Sequence, residues 1–265
     1  MKHFLKEWSH IEQKMEGQVL VLCFDYDGTL TSIMDTPDQA TLSQENKQLL
    51  EQLSKLCTVG IVSGRALEDL KAKINLKNIV YIGNHGLEIN GPQLKFESMS
   101  PPTEKALFDY LRNKLSAELS VVPGAWVEDK GLTLSVHYRL ADAKDEPVIR
   151  KIFLKVCSPY VVTHKIRLTE GKLVLEIRPF IDWDKGKALL WLLAKERKMR
   201  GHARVLPVFL GDDKTDEDAL AAISKTGLGV VVGINRSSKA TYFLRNTDEV
   251  TEFLKRIHMY LTHRS

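Results

Sequence analysis

Runs of apolar residues alternate with amphipathic segments over the first 90 residues of the chain. Val19–Phe24 is apolar throughout, and "CTVGIVSG" and "NIVYIGNHG" repeat such runs further along. Between them, leucines from Leu42 to Leu56 form one stripe, and "RALEDLKAKI" also has helical spacing. Apolar strands that alternate with amphipathic helices are typical of a parallel sheet covered on both faces. The pattern predicts an α/β fold.

The pattern changes near Gly91. "PPTEKALFDYLRNKLSAEL" predicts a helix whose start is marked by proline, and "DEPVIRKIFLKVC" predicts another. "LTLSVHYRL" alternates strictly, as a strand with one solvated face does, and "HKIRLTEGKLVLEIRP" predicts a hairpin that turns at Glu170–Gly171. Half-exposed strands with two helices indicate a separate α+β unit over residues 91–180.

The first pattern returns after Trp183. "DKGKALLWLLAKERK", "TDEDALAAISK" and "TDEVTEFLKRIHMYL" predict helices, while "VLPVFLGDD" and "LGVVVG" predict strands. The sequence therefore predicts two domains. One is a discontinuous α/β domain of residues 1–90 and 181–265, and the other is the α+β insert.

The charge composition bears on whether the chain binds nucleic acid, a membrane or a small molecule. The 265 residues carry 38 Lys and Arg against 34 Asp and Glu, a net charge of +4 without a dense basic run. This balance speaks against nucleic acid and suits a small anionic substrate. The first 17 residues carry scattered charges and helical apolar spacing, unlike a signal peptide, and no apolar run is long enough to span a membrane. We expect a cytoplasmic monomer with no membrane partner, whose three cysteines are buried thiols.

Four polar clusters fall at or near the carboxyl ends of predicted strands, where open parallel sheets bind ligands. They are "DYDGT", "SGR", "DKG" and "GDDKTDED". Each alone has an ordinary explanation: an Asx turn, an N-cap serine, a surface lysine and an acidic helix start. Their common placement favours one shared site.

This ordered set resembles the four motifs of the haloacid dehalogenase superfamily. The resemblance implies a Rossmann-like core in which Asp25 is the nucleophile that becomes an aspartyl phosphate. Asp27 would act as general acid and base. A carboxylate that approaches a phosphate at about 4 Å is repelled by roughly 4 kcal/mol per pair of charges at an effective dielectric constant near 20, so cations must offset that repulsion.

The resemblance supplies those cations and the phosphate ligands. Mg²⁺ would be held by Asp25, the backbone carbonyl of Asp27 and Asp212, a hard-cation set of oxygens. Asp213 and Asp216 would support it. The side chain of Lys185 would neutralise the nucleophile and bind the phosphoryl group, and Ser63 with Gly64 would hold the phosphoryl oxygens.

An insert between the serine and lysine motifs corresponds to the C2-type cap of this superfamily, which closes over the site and recognises the substrate. "GNHGLEI", "VEDKGLTLSVHYR" and "LEIRP" followed by "WDKG" are similar to the trehalose-6-phosphate phosphatases. This implies that Glu128, Lys130 and Glu176 bind sugar hydroxyls, for which carboxylates and ammonium groups are suited. His85, Gly86 and Arg65 are further candidate substrate-binding residues. The alternatives are solvated charges on the strands and a tight turn at His85–Gly86.

The resemblance implies Mg²⁺-dependent hydrolysis of trehalose 6-phosphate to trehalose and phosphate. Three alternatives stay open at this point. The first is another sugar-phosphate phosphatase, acting on sucrose 6-phosphate, mannosyl-3-phosphoglycerate or glucosylglycerol phosphate. The second is a phosphomutase, and the third is a phosphosugar-binding module without turnover.

Overall fold

The computed structural model describes residues 1–97, 102–201, 204–234 and 237–264. The chain divides into two compact units. The core unit comprises Met1–Glu97 and Trp183–Ser265, and the inserted unit comprises Ser98–Asp182. Each unit has its own sheet, with two buried apolar clusters in the core unit and one in the inserted unit.

The strands of the described residues are numbered in chain order. They are β1 (Lys2–His3), β2 (Val19–Phe24), β3 (Thr58–Val62), β4 (Val80–Gly83), β5 (Glu88–Gly91), β6 (Leu94–Glu97), β7 (Trp126–Asp129), β8 (Leu134–His137), β9 (Ile166–Gly171), β10 (Val174–Pro179), β11 (Val205–Gly211), β12 (Leu228–Val232) and β13 (Tyr242–Leu244). The α-helices of the same residues are α1 (Trp8–Met15), α2 (Gln44–Leu53), α3 (Leu67–Ile74), α4 (Pro102–Leu119), α5 (Glu146–Val162), α6 (Lys185–Met199), α7 (Glu217–Ile223) and α8 (Thr247–Thr262).

The sheet of the core unit is parallel over most of its width. Its described strands follow the order β1-β13-β12-β11-β2-β3-β4-β5-β6, and every neighbouring pair from β1 to β4 runs parallel. The α/β prediction is confirmed. The antiparallel hairpin of β5 and β6 at one edge is an addition that the apolar pattern did not predict. It turns at Pro92–Gln93, where Gln93 has a φ of 58°.

Helices cover both faces of this sheet, as the alternation along β2 shows. Leu20, Leu22 and Phe24 belong to one buried cluster, with apolar residues of α1, α2, α3 and α8. Val21 and Cys23 belong to the other cluster, with residues of α6 and α7. A strand buried on both sides requires this unbroken apolar sequence. Cys23, Cys57 and Cys157 are buried free thiols, as predicted.

The inserted unit is an antiparallel sheet in the order β7-β8-β10-β9, with α4 and α5 contributing to its apolar cluster. The predicted hairpin turn at Glu170–Gly171 is wrong. Gly171 pairs with Val174, so the turn lies at Lys172–Leu173, and Leu173 adopts the positive φ of 62°. Of the predicted helix over 101–119, residue 101 lies outside the described residues.

A search of the described helices finds none whose length and apolar character would let it cross a membrane.

Candidate active site

Two aspartates of the core unit lie at the carboxyl ends of adjacent parallel strands. The strand β2 pairs with β11, with Phe24 opposite Leu210, and the Asp25 amide donates to the Leu210 carbonyl at 2.8 Å. Asp25 follows β2, and Asp212 follows β11 after Gly211. Asp25 is 5% exposed, so its charge requires compensation from neighbouring groups.

The loop after Asp25 turns back on itself through backbone hydrogen bonds. The Tyr26 carbonyl accepts from the amides of Leu30 and Thr31 at 3.0 Å each. Gly28 has a φ of 88°, and a Cβ at this position would lie 2.4 Å from the Asp212 carboxylate. The glycine therefore serves both the turn and the close approach of Asp212 to this loop.

We expect alanine at position 28 (G28A) to cost about 1–2 kcal/mol in backbone strain and to displace the Asp212 carboxylate as well. Activity should therefore fall more than stability alone explains. Urea unfolding and phosphate release measure the two effects.

Gly17→Ala is the matched control, because Gly17 has a φ of 68° but no described atom within 4 Å of its would-be Cβ. It should lose stability without losing activity. Equal activity in G28A and G17A would show that the approach of Asp212 does not matter.

Lys185 connects the nucleophile candidate to the acidic segment. It is the first residue of α6, whose N-cap Asp184 accepts from the Lys187 amide at 2.8 Å. The Lys185 Nζ donates to Asp25 Oδ1 at 2.8 Å and to Asp216 Oδ1 at 2.7 Å. Lys185 is 3% exposed, so this bridge is buried.

The acidic segment after β11 is held by its own backbone. Asp216 Oδ2 accepts from the amides of Asp212 and Asp213 at 3.0 and 3.1 Å. Asp213 caps the following turn by accepting from the Thr215 amide at 2.8 Å. One oxygen from each of Asp25, Asp212 and Asp216 lies within 4.8 Å of the others.

Burial and neighbouring charges together shift the pKa values of this cluster. Burial raises the pKa of Asp25 well above its ordinary value, and the neighbouring Asp216 raises it further. Burial likewise raises the pKa of Asp216 to about 7. Burial by itself lowers the pKa of Lys185, but Asp216 and Asp25 outweigh it and bring that pKa above its ordinary value. Three carboxylates, Asp216, Asp25 and Asp213, thus favour the charged form of one ammonium. The oxygens of Asp25, Asp212 and Asp216 form a set that suits a hard divalent cation.

The "SGR" segment follows β3, next to β2. Ser63 is buried, and its Oγ accepts from the Arg65 amide at 3.2 Å. Gly64 faces the His85 ring so closely that a Cβ would lie 2.3 Å from Cε1. Any side chain at position 64 would therefore displace His85.

The Arg65 guanidinium is directed at carboxylates of the core unit. Its Nε and Nη2 donate to the two oxygens of Asp27 at 2.7 Å each, and Nη1 donates to Asp69 at 2.8 Å. Nη2 also donates to the Pro37 carbonyl at 2.7 Å. In this arrangement Arg65 orients Asp27, and its predicted contact with substrate stays a prediction.

His85 and Gly86 lie in a short turn of unusual backbone. Asn84, His85 and Gly86 have consecutive φ values of 47°, 57° and 106°. The turn is fastened to the "SGR" segment, because the Asn84 amide donates to the Arg65 carbonyl at 2.7 Å and the His85 amide to the Ser63 carbonyl at 3.0 Å. Trp183, which lies two residues before Lys185, donates from its Nε1 to the Gly86 carbonyl at 2.7 Å. The turn thus joins the segments that carry Ser63 and Lys185.

In the inserted unit, the three candidate sugar-binding residues lie together on one face of the sheet. Glu128 and Glu176 both pair with Ser135 of the strand between them. The Lys130 Nζ is 3.8 Å from Glu128 Oε2 and 3.6 Å from Glu176 Oε1. Glu176 Oε2 accepts from Arg178 Nη2 at 2.5 Å and from Thr169 Oγ1 at 3.2 Å.

Comparison with known proteins assigns the family. The family model described as trehalose-phosphatase matches residues 23–248. The chain belongs to the trehalose-phosphatase family. Trehalose-phosphate phosphatase B of Arabidopsis thaliana is 34% identical over 96% of this chain and 70% of the relative. The probable trehalose-phosphate phosphatase H of the same plant is 37% identical over 91% of this chain and 72% of the relative.

Solved structures agree on the fold. The C-terminal domain of a trehalose-6-phosphate phosphatase from C. albicans superposes with a TM-score of 0.83 at 22% identity, over 97% of this chain and 98% of that chain. A haloacid dehalogenase-like hydrolase from Bacteroides thetaiotaomicron superposes with a TM-score of 0.62 at 19% identity, over 91% of this chain and 99% of that chain. The predicted resemblance and the haloacid dehalogenase fold are both confirmed.

Membership in the trehalose-phosphatase family makes this chain a phosphatase-family enzyme, as predicted. Sequence reasoning did not include Asn84 and Trp183, which fasten the turn of His85, or Asp69, which holds Arg65. The i, i+4 spacing of Arg65 and Asp69 was a readable signal for the last of these contacts.

Proposed function

We propose that this protein is a Mg²⁺-dependent phosphatase that hydrolyses trehalose 6-phosphate to trehalose and inorganic phosphate. The observation that carries the proposal is the buried Lys185 bridge between Asp25 and Asp216, beside Asp212. Lysine side chains and metal ions both stabilise the charge that develops on a transferring phosphoryl group, and this cluster combines a buried ammonium with candidate metal ligands.

The metal would be held by Asp25, Asp212 and the Asp27 carbonyl, supported by Asp213 and Asp216. Asp216 Oδ2 accepts from the amides of Asp212 and Asp213, and these hydrogen bonds shape the acidic segment. When bound, Mg²⁺ supplies positive charge that offsets the repulsion between the phosphoryl oxygens and Asp25.

The covalent steps belong to Asp25 and Asp27. Lys185 donates to Asp25 Oδ1, which supports Oδ2 as the attacking atom. A bond forms between that oxygen and phosphorus while the bond from phosphorus to the sugar oxygen breaks, and Asp27 gives the sugar oxygen its proton. Asp27 then takes a proton from water, whose oxygen attacks phosphorus and releases phosphate from Asp25.

Ser63 and Gly64 would hold phosphoryl oxygens, and Lys185 would neutralise both the nucleophile and the phosphoryl group. Arg65 donates to both oxygens of Asp27 and so fixes the orientation of that carboxylate, which suits its role as base toward water. To act as acid, Asp27 must leave this pairing.

The sugar would be recognised by the α+β domain, which the sequence predicts over residues 91–180. Glu128, Lys130 and Glu176 place two acceptors and a donor group on one face of a sheet. A disaccharide with many hydroxyls suits such a set, because charged groups form the stronger hydrogen bonds. His85 and Gly86 are proposed as further contacts of the substrate.

A phosphate-release screen tests the proposal. Trehalose 6-phosphate should give the highest kcat/KM in a panel with sucrose 6-phosphate, mannosyl-3-phosphoglycerate, glucosylglycerol phosphate and glucose 6-phosphate. EDTA should abolish release, and excess Mg²⁺ should restore it.

The alternatives give different outcomes in the same screen. Preference for another member of the panel would identify that compound as the substrate in place of trehalose 6-phosphate. Full activity in EDTA would contradict the requirement for Mg²⁺. Transfer of the phosphoryl group to a second sugar hydroxyl would indicate a mutase. Tight binding without release would indicate a binding module.

We further propose a cytoplasmic location, which the three buried free cysteines support, and a monomer as the oligomeric state. Imaging of a tagged chain and sedimentation velocity would test the location and the oligomeric state.

A further inference from the structure

The sheet of the inserted unit has two chemically different faces. Val127, Val136 and Leu175, at mutually paired positions, belong to or pack against the apolar cluster. The neighbouring positions point to the other side, since side chains alternate along a strand. That other side, named the polar face here, carries Trp126, Glu128, Ser135, His137, Thr169, Glu176 and Arg178.

His137 connects two members of the polar face. Its Nε2 lies 2.7 Å from Glu128 Oε2, and a carboxylate can only accept, so the ring donates this hydrogen bond. The imidazole also stacks on Trp126, with ring centroids 4.4 Å apart and an angle of 16° between the planes. Trp126 lies directly opposite His137 in the strand pairing. Turning the ring out of this plane would lose the stacking on Trp126, and flipping it by 180° would move Nε2 away from Glu128.

The orientation of the Glu128 carboxylate depends more on a hydrogen-bond donor such as His137 than that of the Glu176 carboxylate does. Glu176 lies on the inner strand β10 and is 6% exposed, and Arg178 and Thr169 hold its Oε2. Glu128 lies on the edge strand β7, where its side chain is 25% exposed. A glutamate has three rotatable bonds, and fixing them on binding carries an entropic cost that a preformed hydrogen bond removes.

Lys130 makes the orientation of Glu128 matter further. Its Nζ lies within 4.0 Å of an oxygen of both glutamates. If Glu128 turned toward solvent, the ammonium would lose Glu128 as a neighbour, and the spacing of acceptors and donor on the polar face would change.

We infer that His137 is a positioning residue for sugar recognition: it fixes the Glu128 carboxylate in the orientation that accepts from a sugar hydroxyl, and Trp126 holds the imidazole in place. This inference rests on the proposed function, because it assigns Glu128 to the sugar. In this role, His137 takes no part in the phosphoryl chemistry.

Two variants separate the donor from the ring. Phenylalanine (H137F) keeps a flat ring against Trp126 but removes the donor, and glutamine (H137Q) keeps an N–H donor at a similar reach. We expect H137F to raise the KM for trehalose 6-phosphate about tenfold with kcat little changed, as for a lost hydrogen bond to a charged group. H137Q should recover part of this loss. With p-nitrophenyl phosphate, which has no sugar, both variants should match the wild type.

The double variant E128A/H137F shows whether His137 acts through Glu128. H137F should raise the KM in the wild-type background but not in the E128A background. Equal effects in both backgrounds, or equal losses on both substrates, would overturn the inference. If H137F fails to fold, Trp126→Leu replaces it. That variant keeps the donor but frees the ring, and its smaller rise in KM must also vanish in E128A.

Failure of the proposed function gives a different result. In that case the wild type itself does not prefer trehalose 6-phosphate in the panel, whatever the His137 variants do. The double-variant cycle is then run on the sugar phosphate that the wild type prefers, and the non-additivity of Glu128 and His137 decides the inference.

Discussion

Asparagine in place of Asp25 (D25N) is expected to lower kcat for trehalose 6-phosphate by about 10⁴-fold or more, the scale of losing a catalytic nucleophile. An amide nitrogen and a neutral carbonyl cannot form the acyl phosphate. The fold should persist, because the Asn oxygen can still accept from Lys185, as Asp25 Oδ1 does at 2.8 Å. Phosphate release and thermal unfolding measure the two properties separately.

Asp35→Asn is the matched control, since it makes the same chemical change at an exposed position of the same unit. It should leave kcat unchanged. If D25N retained activity within about tenfold of the wild type while D35N behaved as expected, Asp25 would not be the nucleophile.

Methionine in place of Lys185 (K185M) is expected to lower the free energy of unfolding by about 3–5 kcal/mol, because it leaves buried carboxylates without their cation. Methionine keeps much of the buried volume, so the loss reports the ammonium. We expect kcat to fall by about 10²–10³-fold as well, the scale of removing one preorganised electrostatic contact from a reacting anion. Urea unfolding and phosphate release provide the measurements.

Lys187→Met is the control on the same helix, where the side chain is 37% exposed and lies 4.0 Å from Asp184. It should change stability by less than about 1 kcal/mol, as exposed ion pairs do. A K185M protein as stable as K187M would show that the buried bridge is not needed to compensate Asp25 and Asp216.

The parts of the site that follow strands could be read from the sequence. Six apolar residues before Asp25 and seven mostly apolar residues before Asp212 identify strands buried on both faces. Ligand positions in parallel sheets follow such strands. The position of both aspartates at one edge of a sheet was therefore accessible from pattern alone.

Contacts between segments that are distant in the chain could not be predicted from the sequence pattern in this way. The pairing of Arg65 with both oxygens of Asp27 depends on the exact paths of two loops, and no periodicity encodes these. The turn of Asn84–Gly86 requires three consecutive positive φ values, two of them at non-glycine residues, and a positive φ is uncommon for any residue other than glycine. Short strands such as β1, with two residues, carry too few side chains to form a pattern.

The misplaced hairpin turn has a similar origin. Glycine is the usual residue for a positive φ, so Gly171 was the reasonable choice, yet it stays paired with Val174. Leu173 takes the unfavourable conformation instead, at a φ of 62°. Local preference gave way to the register of the two strands.

The order of strands in the core sheet sets a sequence of events on the ribosome. The strand β11, from Val205–Gly211, lies between β2 and β12, so the sheet cannot be completed until more than 200 residues have been synthesised. The inserted unit is continuous in sequence and has its own apolar cluster, so it can fold before that point. Until then, the strands β2, β3 and β4 have an unpaired edge on the side of β2 where β11 later adds. Such an edge can pair with another chain, so the nascent chain depends on protection of that edge.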